Sequence, residues 1–109
     1  MLQDIIVRAI KIEMVAKINS PSVEIRYCTQ CRFILRANWP AQELLMTFAD
    51  KLGELALVPS DGGTFSVYLD ENLIYSKQEQ GRFPESKELK QLIRDIIDPA
   101  MNLGHSDNN

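Results

Sequence analysis

Val23-Glu24-Ile25-Arg26-Tyr27-Cys28-Thr29-Gln30-Cys31 is the stretch on which the reading of this chain turns. Its first five residues alternate apolar and polar side chains, the pattern of a β-strand whose two faces meet different surroundings. The two cysteines follow at once, spaced as Cys-x-x-Cys, and a helical pattern follows them. There Asn38 can cap a helix and Pro40 falls in its first turn, while Leu44, Leu45, Phe48, Ala49 and Leu52 form an apolar face. Gly53 stands where that helix is expected to end.

Downstream, Glu54 to Val58 reads as a second strand, closed by Pro59-Ser60-Asp61-Gly62-Gly63. Phe65, Val67 and Leu69 alternate with Ser66, Tyr68 and Asp70 as a third strand. Asp70-Glu71-Asn72 makes a turn into a fourth, Leu73 to Lys77. After the loop Gly81-Arg82-Phe83-Pro84, a last helix starts at or just before Ser86. It carries an apolar stripe at Leu89, Leu92, Ile93, Ile96 and Ile97, and Pro99 stops it. The order β-α-β-β-β-α predicts an α/β sandwich of thioredoxin-like type.

Upstream, residues 1–21 form an N-terminal extension. Leu2, Ile5, Ile6, Ala9, Ile10, Met14, Val15 and Ile18 suit one helical stripe, ended by the breaker Asn19-Ser20-Pro21-Ser22. Its β-branched residues leave a partial strand open, and Met14 is an alternative start. This stripe is expected to lie on the domain or to build a homodimer. Residues 100–109 read as a polar tail, with 104–109 expected to fray.

The chain has 109 residues, enough for one domain with a core of its own. Its formal net charge of −3, with both signs interspersed, argues against general affinity for nucleic acid or anionic membranes. Asp4, Arg8, Lys11 and Glu13 interrupt the first apolar residues, so neither a secretory h-region nor a membrane span is expected. The expected compartment is the cytoplasm, where paired cysteines more often do redox or metal chemistry than staple a fold.

Cys-x-x-Cys between a strand and a helix suits thiol chemistry. The thiolate is the reactive species, and the N-terminus of a helix favours negative charge. The spacing also lets one sulfur attack the other and resolve a mixed disulfide within one chain. Arg26, Arg32 and Arg36 place positive charge nearby in sequence. The competing readings are half of a zinc site and a pair with neither role. Zinc needs two further ligands, and His105 in the tail is the one remaining residue of the usual type, so such a site requires two chains.

Four motifs then carry a resemblance: Glu24-Ile-Arg-Tyr-Cys-Thr-Gln-Cys31, Trp39-Pro-Ala-Gln-Glu-Leu-Leu-Met-Thr-Phe48, Gly62-Gly-Thr-Phe-Ser-Val67, and Gly81-Arg-Phe-Pro-Glu-Ser-Lys-Glu-Leu-Lys-Gln-Leu-Ile-Arg-Asp95. Over residues 22–99 the chain resembles the Rdx family, which contains selenoproteins W, T and H and cysteine-only bacterial relatives. The resemblance implies a thioredoxin-like fold and a thiol redox role, with Cys28 and Cys31 as the catalytic pair. The selenocysteine of selenoprotein members corresponds to Cys31, whereas the attacking cysteine of thioredoxins corresponds to Cys28. The helix-dipole argument leans to Cys28. Gly62-Gly63-Thr64 stands where thioredoxins carry a cis-proline. The two glycines either let backbone approach the sulfurs or simply make a turn.

Two functions are therefore carried forward. One is a thiol–disulfide protein of cell redox homeostasis, exchanging with glutathione, thioredoxin-type proteins or client proteins and needing no cofactor. The other is a non-enzymatic, redox-gated interaction module. Trp39 then lines a partner groove, against the alternative that it packs beneath the loop. Phe83-Pro84 is expected to fix the last helix to the sheet, or to act near the dithiol.

Overall fold

A computed structural model describes residues 20–107. The expectations for residues 1–19 lie outside the described residues. Strands β1 (Ser22–Cys28), β2 (Glu54–Ser60), β3 (Phe65–Leu69) and β4 (Asn72–Ser76) form one sheet in the order β2-β1-β3-β4. β1 pairs parallel with β2, while β1–β3 and β3–β4 are antiparallel. Helix α1 (Ile34–Thr47) makes the crossover between the two parallel strands, as such pairs require. A short helix α2 (Lys77–Gln80) follows β4, and α3 (Ser86–Ile97) packs beside α1.

Alternation along β1 decides which face is covered. Val23 and Ile25 are fully buried and meet Ala37, Ala41, Leu44 and Phe48 of the α1 segment, Val67 and Leu69 of β3, and Leu89 and Ile93 of α3 in one core. Glu24 and Arg26 project from the other face, where they pair with each other and Arg26 lies over the Tyr68 ring at 4.2 Å. Pro59 is tolerated inside β2 because that strand is at the edge of the sheet, where a missing N–H leaves no ladder partner unsatisfied.

Helix α1 departs from the sequence reading at both ends. It starts at Ile34 rather than after an Asn38 cap, so Pro40 sits in its interior. Ala37 and Pro40 are buried by this earlier start, and that packing outweighs one missing intrahelical bond. The helix ends at Thr47, well before Gly53. Gly53 serves a close approach instead: a Cβ there would stand 2.5 Å from the Ser20 carbonyl oxygen, and its N–H donates to the Pro21 carbonyl at 2.9 Å. The buried face is Ala37, Pro40, Ala41 and Leu44, continued by Phe48, whereas Leu45 and Ala49 are exposed.

The C-terminal elements are tied down by side chains. Glu85 and Glu88 form a capping box at the start of α3. The Glu88 carboxylate also takes two hydrogen bonds from the Arg82 guanidinium, at 2.9 and 2.8 Å. Beyond α3, residues Gly104–Asp107 form a 3-10 turn docked back on the helix rather than a frayed tail. Arg94 donates to Asp107 and to the Met101 carbonyl at 2.9 Å each, and Gln91 to the Ser106 carbonyl at 2.5 Å.

Candidate functional site

The dithiol lies at the C-terminal edge of the sheet, where β1 leaves it. The N–H of Cys28 donates to the Thr64 carbonyl at 2.8 Å, and that of Thr29 to the Ser60 carbonyl at 3.0 Å. Both neighbouring strands thus fix the start of the loop. Phe33 closes it by donating to the Cys28 carbonyl at 3.1 Å. Within this frame the Cys28 and Cys31 sulfurs stand at disulfide distance, with Cα atoms 5.3 Å apart. The backbone N–H of Cys31 also points at the Cys28 sulfur, at 3.3 Å.

The two cysteines have different surroundings. Cys28 is 2 % exposed, while Cys31 belongs to an exposed run with Thr29, Gln30 and Arg32. Helix α1 begins at Ile34, three residues after Cys31 and six after Cys28.

Of the three arginines that bracket the motif in sequence, the structure brings one into the aromatic support of the loop. Phe33 packs edge-on against Phe83 with ring centroids 4.9 Å apart, and Phe83 packs likewise on Phe65 at 5.2 Å. The Arg36 guanidinium lies over the Phe83 ring at 4.8 Å, and the Lys77 ammonium stands 5.2 Å from the same ring. Arg26 is committed to Glu24 and Tyr68 on the outer face. Phe83 therefore does more than seat the last helix. It joins the segment before α3 to the residue that closes the dithiol loop.

Tyr75 completes this support. Its hydroxyl donates to the Arg82 carbonyl at 2.6 Å, and burial pushes its pKa above the usual tyrosine range. Sequence reasoning passed over Phe33, Tyr75 and Lys77. A usable signal was the placement of Phe33 two residues after Cys31, just ahead of a helix.

Gly62 and Gly63 take φ of 64° and 75°, and a Cβ on either would meet nothing within 4 Å. They make the turn before β3, and neither is required for backbone to approach the sulfurs. Trp39 does not pack beneath the loop. It is 65 % exposed and falls on one side of α1 with Leu35 and Met46, also exposed. A cleft of about 450 Å³ lined by Pro21, Asp50, Asp70, Ile96 and Asp98 opens at the opposite end of β1. The dithiol itself is a surface site.

No helix among the described residues is long and apolar enough to cross a membrane. Comparison with known proteins places these features in a group. The model of the Rdx family matches residues 22–95. A protein of Bordetella parapertussis of known crystal structure is 50 % identical; the match covers 70 % of this chain and 96 % of that one, with a TM-score of 0.68. The crystal structure of a selenoprotein W-related protein from Vibrio cholerae is 44 % identical; its match covers 73 % of this chain and 100 % of that one, with a TM-score of 0.71. No curated protein matches the chain. On residues 22–95 and their thioredoxin-like arrangement, the chain belongs to the Rdx family and is similar in sequence and fold to a selenoprotein W-related protein.

Proposed function

We propose that this protein is a thiol–disulfide redox protein whose Cys28 and Cys31 cycle between dithiol and disulfide. The observation that carries the reading is the pair itself: two cysteines at disulfide distance, one exposed and one buried, on a loop fixed by both neighbouring strands. Membership of the Rdx family supports it.

In this reading Cys31 exchanges with the substrate, because an incoming thiolate or disulfide must reach the sulfur along its bond axis and Cys28 is covered. In the reducing direction the Cys31 thiolate attacks a substrate disulfide, forming a mixed disulfide and releasing one substrate thiolate. Cys28 then attacks the Cys31 sulfur, and the second substrate thiol leaves. Two electrons pass to the substrate, and the two protons of the dithiol end on the two released thiols. The Cys31 N–H stabilises negative charge on Cys28 whenever that sulfur is a thiolate. This reading assigns the first attack to Cys31, in place of Cys28, toward which the helix-dipole argument leaned.

Glutathione, thioredoxin-type proteins and cytoplasmic client proteins are the proposed exchange partners. The test is repeated reduction of a model disulfide with an added reductant. Cys31→Ser is expected to abolish turnover. Cys28→Ser is expected to trap a mixed disulfide at Cys31. If both variants turn over like the wild type, the dithiol is not the working group.

A second reading is favoured by the exposed Leu35, Trp39 and Met46 on the helix that follows the dithiol. Apolar side chains exposed on one helix face suit a partner interface, whose docking the redox state of the adjacent loop would gate. Partner capture that differs between the oxidised protein and the Cys28→Ser/Cys31→Ser form, without turnover, would favour it over an oxidoreductase.

A further inference from the structure

Phe83 carries two cations that lack a counter-ion. The Arg36 guanidinium lies over its ring at 4.8 Å, and the Lys77 ammonium stands 5.2 Å from that ring and 5.7 Å from the ring of Phe33. Among the described residues, Arg26, Lys51, Arg82, Lys90 and Arg94 are each paired with an aspartate or glutamate, and no carboxylate stands at salt-bridge distance from Arg36 or Lys77. An aromatic face attracts a cation but accepts few of its hydrogen bonds, so both groups keep N–H donors for a further partner.

Both charges lie at the sheet edge that holds the dithiol. Lys77 follows directly on Ser76, which pairs with Ser66 of β3, and Ser66 pairs with Arg26, two residues before Cys28. Arg36 stands in the first turn of α1. Phe33 joins the pair to the loop, because its ring packs on Phe83 and its N–H donates to the Cys28 carbonyl. The exposed Cys31 comes two residues before Phe33. Arg32, Lys87, Asp61, Glu79 and Glu85 belong to segments that meet the same edge, so charge of both signs is present there. Selection at this site is therefore a matter of contact with Arg36 and Lys77 rather than of a long-range field.

We infer that Arg36 and Lys77 set the substrate specificity of the dithiol, favouring disulfides that carry a carboxylate close to the sulfur. This rests on the redox reading above. The Cys31 thiolate attacks one sulfur of such a disulfide, forms the mixed disulfide and releases the first half as a thiolate. The half held on Cys31 sets its carboxylate against the Arg36 guanidinium fork or the Lys77 ammonium. Cys28 then attacks the Cys31 sulfur, which closes the internal disulfide and releases the second half. Two electrons pass to the substrate, and the two protons of the dithiol end on the released thiols. A substrate with an ammonium in place of the carboxylate meets like charge, and one with a hydroxyl gains little from either cation.

The experiment mixes the reduced full chain with three small disulfides of similar size: anionic dithiodipropionate, neutral hydroxyethyl disulfide and cationic cystamine. Loss of protein thiols is followed by alkylation and mass. Each variant is compared with the wild type on the same disulfide, which cancels the intrinsic reactivity of the leaving thiol. Arg36→Gln and Lys77→Gln are each expected to slow dithiodipropionate about three- to fivefold, the upper range for one exposed ion pair, and to leave hydroxyethyl disulfide within about 1.5-fold. Cystamine is expected to react faster with both variants. Arg36→Lys keeps the charge and is expected to keep most of the rate with the anion. Lys51 lines the cleft at the opposite end of β1, and Lys51→Gln, which removes one charge there, is expected to change none of the rates.

Three results would overturn the inference while leaving the redox reading intact. Equal slowing of all three disulfides would mean that the cations act on the Cys31 thiolate and not on the substrate. An unchanged rate with dithiodipropionate in both glutamine variants would mean that neither cation meets the carboxylate. The same effect from Lys51→Gln would make net charge the cause. If thermal melts show that Arg36→Gln is unfolded, Arg36→Lys and Lys77→Gln decide the matter. If the wild type forms no internal disulfide with any of the three, the redox reading falls first and this inference with it.

Discussion

Cys28 and Cys31 occupy neighbouring places with opposite exposure, and in the proposed redox reading that asymmetry gives them different parts in exchange. The motif and its position after a strand were legible in the sequence because spacing and alternation are local. Which sulfur is covered was not, because strand alternation puts Cys28 in phase with Glu24 and Arg26, yet it is buried at the end of β1. The aromatic support was hidden as well. Phe33, Phe65 and Phe83 come from three elements, and no periodicity joins them. At this scale Glu88 offers a test. Its hydrogen bonds from Arg82 hold its pKa below the usual carboxylate value of 4.5, despite partial burial. A depressed pKa contributes stability that is fully present above the unfolded value and is lost as pH falls through the folded one. Glu88→Gln is therefore expected to lower the melting temperature modestly at pH 7, the partly exposed pair being screened by solvent, and the gap to wild type should narrow as the pH falls below the usual carboxylate value and through the depressed one. A gap that persists unchanged at pH 3 would show that the charge plays no part.

Elements were read well where the pattern was strict. β3 spans Phe65–Leu69 as its alternation predicts, and the other strands lie within two residues of expectation. The short helix Lys77–Gln80 was missed. Its N-cap, Ser76, accepts from the Glu79 N–H at 3.4 Å, and Gly81 ends it in left-handed conformation. Both signals are present in the sequence, but a single helical turn has no periodicity to reveal it. Gly53 misled because a glycine after a helix suggests a cap, whereas here the constraint comes from Ser20, distant in sequence. The β3–β4 hairpin yields a second prediction. Leu69 pairs with Asn72, so Asp70 and Glu71 form a two-residue loop, with φ of 47° and 72°. Glu71 carries a side chain where glycine is preferred. Asp70 is held by its bond from the Ser22 N–H at 2.8 Å and is best left in place. Glu71→Gly is expected to raise stability by about 0.5–1 kcal/mol, read from the urea midpoint at unchanged slope. A loss of stability would contradict the strain assigned to that turn.

In the whole molecule, one layer of helices covers one face of a four-stranded sheet, and the dithiol stands at the edge where β1 gives way to α1. Phe48 lies fully buried just past the end of α1 in the shared core. Phe48→Ala is expected to cost about 3–5 kcal/mol, a large part of the stability of a domain this size. A loss below about 1 kcal/mol by chemical denaturation would mean that the core is not packed as described. The fold was legible at this scale because four motifs in order and the β-α-β-β-β-α succession both point to it. The docking of Gly104–Asp107 on α3 was not, because it rests on Arg94 and Gln91 reaching polar partners across a turn. The central claim, that Cys28 and Cys31 form a working redox couple, is tested most directly by titrating the purified protein in glutathione buffers and counting alkylated thiols by mass. The account predicts one two-electron step that forms the Cys28–Cys31 disulfide at a potential between about −180 and −270 mV, the range of known exchange proteins. If no internal disulfide forms, or only a single cysteine is glutathionylated across that range, the claim is contradicted.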